Sequence, residues 1–233
     1  MKALTLALMI GAATALPAFA ADAPVTDAIV KTYGDIALAA YSDALTQAGV
    51  LDKAVDALIA NPTNDTLKAA RVAWQAARVP YQQTEAFRFG NPVVDDWEGD
   101  LNAWPLDEGL MDYVDAASYG SESDENGLYT ANVIANTSIS IGGKTVDATN
   151  LTPEFLKGTL REAGGIEANV ATGYHAIEFL LWGQDLHGTG PGAGERPATD
   201  YDTKNCTHGN CDRRAQYLKS ATDLLVADLK EMV

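Results

Sequence analysis

The sequence predicts an all-α protein: a helical bundle with long irregular loops and one small hairpin. Apolar residues recur at three- and four-residue steps over long stretches, as one face of a helix requires. Asn61-Pro62 and Gly90-Asn91-Pro92 break those stretches sharply. Alternation about a tight turn is confined to Ile139–Val146.

The chain begins with an export signal. Lys2 precedes an uncharged apolar run from Ala3 to Leu16, and Ala18-Phe19-Ala20 supplies the small-x-small pattern of a cleavage site. The run is short of the roughly 20 residues that a membrane-spanning helix needs. Residues 1–20 are therefore expected to be a cleaved signal peptide, with no membrane span in the mature chain. The formal net charge is −16, and one unit more negative once Lys2 is gone. Such a charge excludes nucleic acid and anionic membrane surfaces as partners, while suiting cationic ligands such as metal ions.

The first helix is expected from Asp27 to about Ile59. Ile29, Tyr33, Ile36, Ala40 and Ala44 lead its apolar stripe, Gly49 is a weak point, and Leu51, Val55, Leu58 and Ile59 continue it. Asn64 and Asp65 start a second helix that is expected to reach Phe89, giving two long antiparallel helices, the beginning of a bundle. Gly90–Gly127, rich in Asp, Gly, Pro and Trp, is expected to hold short helices at most, one of them near Leu106–Val114. A hairpin is expected about Gly142-Gly143. Thr152-Pro153-Glu154 opens a helix with proline at its first position, ending at Gly164-Gly165. A further strong helix is expected over about Glu167–Leu181, followed by a glycine-rich loop from Gly183 to Asn210. The last helix, Asp212–Val233, carries Leu218, Leu224, Leu225 and Leu229 with nothing C-terminal left to cover them. Residues 21–185 are accordingly taken as a first helical bundle, and residues 186–233 as a loop and the start of a truncated second one.

Cys206 and Cys211 are the only cysteines. In an exported chain they are expected to form a disulfide, the alternative being a metal site that adds His208.

Three constellations can carry chemistry. Arg71, Trp74, Arg78, Tyr81, Glu85 and Arg88 follow each other at steps of three and four, on one helical face. Arginines in register with aromatic rings suit a partly buried polar wall, functional or an interface; the alternative is a structural salt-bridge ladder. Pro80, inside the same helix, favours a kink beside that wall. His175 and Glu178 stand three apart in Gly173-Tyr-His-Ala-Ile-Glu178, so imidazole and carboxylate point the same way, as in metal sites of helical bundles. The plainer alternative is a core histidine hydrogen-bonded to its neighbour. The spacing does not complete a zinc-protease motif, because Phe179 stands where a second histidine would follow the Glu. Trp104-Pro-Leu-Asp107 can supply a carboxylate to the site, or Asp107 can cap a short helix. No phosphate-binding glycine loop, serine elbow or Cys–His nucleophile pair is present.

Taken together, these segments resemble the imelysin family. The resemblance runs from Arg71-Val-Ala-Trp74 to Glu85-Ala-Phe-Arg-Phe-Gly90 and from Trp104-Pro-Leu-Asp107 to Asp112-Tyr-Val114. It continues through the GxHxxE element at Gly173–Glu178, Trp182-Gly-Gln-Asp185, Arg196-Pro-Ala-Thr-Asp200, and the Cys206–Cys211 segment with Arg213-Arg214. It implies a bacterial cell-envelope or periplasmic protein, all-helical, built from two similar bundles with a site between or beside them. It also implies a link to iron-regulated uptake, some relatives being described as insulin-cleaving peptidases. Carried over, the motif falls on Gly173, His175 and Glu178, and the accompanying wall on Trp74, Arg78, Glu85 and Arg88. This chain departs from the pattern in length, since most of the second bundle is absent.

The expected function is binding of a metal ion, iron before zinc, or of an iron-bearing ligand. His175 and Glu178 would be direct ligands, with Glu85 or Asp107 as a third. Gly173, Trp74, Arg78 and Arg88 would contact the ligand, and envelope uptake proteins would be partners. The alternatives are a metallopeptidase with Glu178 as general base, and an envelope scaffold that binds nothing.

Overall fold

The computed structural model describes residues 25–233, so the signal peptide expected over residues 1–20 lies outside the described residues. Helix α1, Thr26–Ala60, runs unbroken through Gly49. It turns at Asn61–Thr63 into α2, Asn64–Gln83, where Thr63 and Thr66 exchange side-chain and backbone hydrogen bonds in a reciprocal cap. The facing residues are small or slender: Ala44, Ala48, Leu51, Val55 and Leu58 on α1 against Leu67, Ala70, Ala73 and Ala77 on α2. That pattern lets the two axes approach closely. The first four turns of α1 project beyond this contact, leaving Ile29, Tyr33 and Ile36 more than half exposed.

The second helix stops earlier than expected. Thr84 Oγ donates to the Tyr81 carbonyl at 2.7 Å, and the chain tightens into a 3-10 turn over Thr84–Phe87. A shorter period rotates the residues that follow off the α2 face. A helix not expected from the sequence comes next: α3, Pro92–Asn102, with Pro92 in its first turn. Two single-turn helices follow, α4 (Glu108–Met111) and α5 (Ala116–Tyr119). The hairpin forms as expected: β1, Ser138–Ile141, pairs antiparallel with β2, Lys144–Asp147, and Ile141 faces Lys144 across the turn. Gly142 and Gly143 both take positive φ there, as a two-residue hairpin turn demands.

Thr152 caps α6, Pro153–Phe155, which unwinds into a wide turn over Leu156–Leu160. The helix expected from Glu167 begins only at Gly173: α7 spans Gly173–Trp182. Tertiary bonds explain the late start. Buried Asn169 donates to the Ala163 carbonyl at 2.7 Å and accepts from Asn126 at 2.7 Å. Its own carbonyl receives Glu162 N–H, and Thr172 Oγ donates to the Asp100 carbonyl. These partners hold Ile166–Thr172 out of helical conformation.

The glycine-rich loop contains a 3-10 turn at Ala198–Tyr201 and leads to α8, Cys211–Glu231. The apolar face of α8 is not left uncovered: Leu218, Leu225 and Leu229 are buried in the same core as α1, α2 and α7. Residues 186–233 therefore close this bundle. Lys157 Nζ bridges Asp228 of α8 at 2.6 Å and Asp100 of α3 at 2.9 Å. Cys206 and Cys211 form the expected disulfide, which removes both sulfurs from any metal site. Among the described residues no helix is long and apolar enough to cross a membrane.

Candidate functional site

Helix α7 is positioned by its first residue. Gly173 has φ +78°, and a Cβ there would sit 2.4 Å from the Leu101 carbonyl oxygen at the end of α3. Only glycine permits this backbone approach. Gly173 is thus a packing residue, not the ligand contact expected from the sequence. One turn on, His175 and Glu178 project together, with Glu178 Oε2 3.0 Å from His175 Nδ1. Both are partly exposed, and the imidazole lies against the Trp104 ring with centroids 5.0 Å apart.

These two side chains open onto a cleft of about 560 Å³. Trp74, Trp104 and Trp182 wall it, Glu108 and Asp185 bring further carboxylates, and the Gly192–Gly194 segment crosses one edge. Trp74 donates its indole N–H to the Tyr174 carbonyl at 2.9 Å and meets Trp182 edge to face. Arg71 fixes the other end of α7, donating to the Leu181 carbonyl at 2.9 and 3.1 Å while lying over the Trp182 ring. The wall of the cleft is therefore rigid.

Glu108 was not singled out by sequence reasoning, which favoured its neighbour Asp107. Burial, together with repulsion from Asp185 and Glu178, pushes the Glu108 carboxyl up to about 7, although Arg196 pulls the other way. Asp107 points elsewhere. It sits at the α4 cap position without capping it, and accepts from Asn126 Nδ2 at 2.6 Å. Glu85 is also apart from the pair: it lies on the 3-10 turn, lining a separate surface cleft with Arg88, Asp95 and Asp96.

The expected stripe consequently divides. Trp74 reaches the cleft. Arg78 is structural, donating to Asn102 and lying over the Trp74, Tyr81 and Tyr174 rings. Arg88 pairs with Asp95 at 2.6 Å and with Glu98 at 3.1 Å. Of the four expected metal ligands, only His175 and Glu178 come together, and Glu85 and Asp107 lie apart from them. Among the described residues, no three His, Cys, Asp or Glu side chains stand together as a group able to hold a metal.

Behind α7 lies a buried ionic network. Arg214 makes a two-point contact with Asp112, Nε to Oδ2 at 2.6 Å and Nη2 to Oδ1 at 3.0 Å. Arg196 Nη1 donates to Asp112 at 2.7 Å and to Asp200 at 3.0 Å. Asp200 also accepts from Tyr113 Oη at 2.6 Å and pairs with His208 Nδ1 at 2.7 Å. Burial alone would raise the Asp112 pKa, but Arg196 and Arg214 outweigh it and hold the carboxylate below its ordinary range.

Comparison with known proteins gives the family and the fold. The family model for imelysin matches residues 37–233. Iron-regulated protein A of Synechococcus elongatus is 31% identical over 84 residues, covering 36% of this chain and 24% of that protein. A crystal structure from Parabacteroides distasonis, described as an iron-regulated protein A precursor, superposes with a TM-score of 0.54 at 26% identity. That match covers 93% of this chain and 47% of the solved one. The chain thus spans about a quarter of the curated relative and about half of the solved one. With GxHxxE on α7, the helical fold and a family match over most of its length, this chain belongs to the imelysin family.

Proposed function

We propose that this is an exported cell-envelope protein that binds iron, as an ion or within a small chelate, in the cleft beside α7. The carrying observation is the His175–Glu178 pair. Glu178 engages Nδ1, which leaves Nε2 as the free nitrogen, the arrangement by which a carboxylate orients a ligating imidazole. Trp104 steadies the ring.

The surroundings fit a cation. Glu108, Asp185 and Glu178 bring negative charge into one cleft, and burial first, with repulsion from Asp185 and Glu178 adding to it, raises the Glu108 pKa. A bound cation relieves that repulsion. Imidazole with carboxylate suits iron or zinc over thiolate-loving metals. Because the protein donors number so few, the remaining coordination positions are filled by water or by a chelating small molecule, for which an aromatic-walled cleft of about 560 Å³ has room. The iron-regulated naming of two relatives is in keeping with this reading.

The test is calorimetric titration of chelator-stripped protein with ferrous ion under anaerobic conditions, with ferric citrate and with zinc. One-to-one binding is expected, weakened by roughly tenfold or more in His175→Ala, with far-UV circular dichroism unchanged. Equal affinity in wild type and His175→Ala removes the reading.

A further inference from the structure

On the far side of Trp182 and Gly183 lies a second pocket, of about 370 Å³. Its walls include Val114, Trp182, Leu186 and Pro197, and Arg196 lines it from within the buried ionic network. The Arg196 side chain is fully buried, sandwiched against the rings of Tyr113 at 4.9 Å and Phe179 at 5.5 Å. Its hydrogen bonding is lopsided. Nη1 serves both Asp112 and Asp200, whereas Nε and Nη2 are buried with no hydrogen-bond partner.

Those two nitrogens form one edge of the guanidinium, the edge whose parallel N–H groups match the two oxygens of a carboxylate. Arg214 shows the same edge filled, by Asp112. Buried donors left without acceptors are costly to keep, so the fold carries a standing demand for an oxyanion at this point. Beside it Gly183 carries no side chain: a Cβ there would be in van der Waals contact with Arg196, 3.4 Å from its Cβ and 3.7 Å from Nε, and the open volume is the pocket that Arg196 lines.

We propose that the Nε–Nη2 edge of Arg196 receives the carboxylate of a small apolar monocarboxylic acid held in this pocket. The apolar walls accept a hydrocarbon or aromatic body. Exposed Glu195 and neighbouring Asp115 line the same pocket, in a chain of net charge −16, and disfavour ligands with several negative charges. None of these contacts involves His175, and the site does not rest on the cation reading.

The test is NMR titration of 15N-labelled protein with benzoate, hexanoate, acetate and inorganic phosphate, following the Arg196 Nε–H resonance. Expected are a saturable one-to-one downfield shift with benzoate or hexanoate, and weaker responses to acetate and phosphate. Arg196→Lys, which keeps the charge and loses the edge, weakens binding by roughly tenfold or more. Glu195→Gln, at the exposed rim, tightens it severalfold, and His175→Ala leaves it unchanged. If Arg196→Lys does not fold, Glu195→Gln and the Nε–H shift decide the matter. The proposal is overturned if no probe moves that resonance, as when trapped water alone occupies the edge, or if folded Arg196→Lys or Glu195→Gln binds as wild type does.

Discussion

Arg196 donates to Asp112 across 2.7 Å, in a place where neither side chain is more than 2% exposed. The same aspartate is held by Arg214, so one carboxylate contacts two buried guanidinium groups while Asp200 supplies the second negative charge. Removing one partner of such a pairing strands charge in a low dielectric. Asp112→Asn is expected to cost about 3–5 kcal/mol, read as a lower urea midpoint with an unchanged slope. A loss below about 1 kcal/mol would mean that water reaches the network.

Glu108 makes stability depend on pH near neutrality. Its folded pKa, about 7, lies above the ordinary value of 4.5, so the folded state holds the proton more tightly. The associated stabilisation is complete below pH 4.5 and is lost as pH rises through 7. Discounted for partial exposure, the loss is about 2 kcal/mol. Urea midpoints of metal-free protein between pH 5 and 8 should fall accordingly, and Glu108→Gln should flatten that contribution.

Two glycines respond oppositely to alanine. At Gly173 a methyl group meets the Leu101 carbonyl at 2.4 Å with φ at +78°, and Gly173→Ala is expected to cost at least about 3 kcal/mol. At Gly49, inside α1, a Cβ meets nothing within 4 Å. Gly49→Ala is expected to gain about 0.5–1 kcal/mol. Parallel thermal melts compare the two; a Gly173→Ala melt matching wild type contradicts the packing role.

Arg71 clamps the end of α7 through the Leu181 carbonyl and the Trp182 face. Arg71→Met keeps the bulk and removes the donors, and about 1.5–3 kcal/mol of stability should go with them. Intrinsic tryptophan fluorescence should change as well, because Trp182 loses its neighbouring charge. An unaltered spectrum and melt would show the clamp to be idle.

How much of this was visible in the residues follows from what each feature depends on. Helix α1 was legible because Leu51, Val55 and Leu58 keep helical spacing, and the hairpin because Gly142-Gly143 permits only a few turns. Helix α3 was missed: its Asp, Trp, Glu and Gly composition resembles a loop, and only Pro92 in its first turn hinted otherwise. The overshoot before α7 arose because Asn169 is bound by residues distant in sequence. The His175–Glu178 pair could be found because its geometry is local to one turn. Glu85 and Asp107 were misplaced since their positions rest on a change of helical period and on Asn126, neither local. Glu108 and the free edge of Arg196 depend on contacts across the fold and leave no periodic trace.

Trp182 and Gly183 line both pockets at once, one on each side of the same two-residue partition. Anyone re-engineering the indole at 182 to admit a bulkier guest in one chamber will remodel the other with the same stroke. Neither chamber can be redesigned alone from this wall; selective changes must come from the opposite sides, at Trp104 for the first and Leu186 for the second.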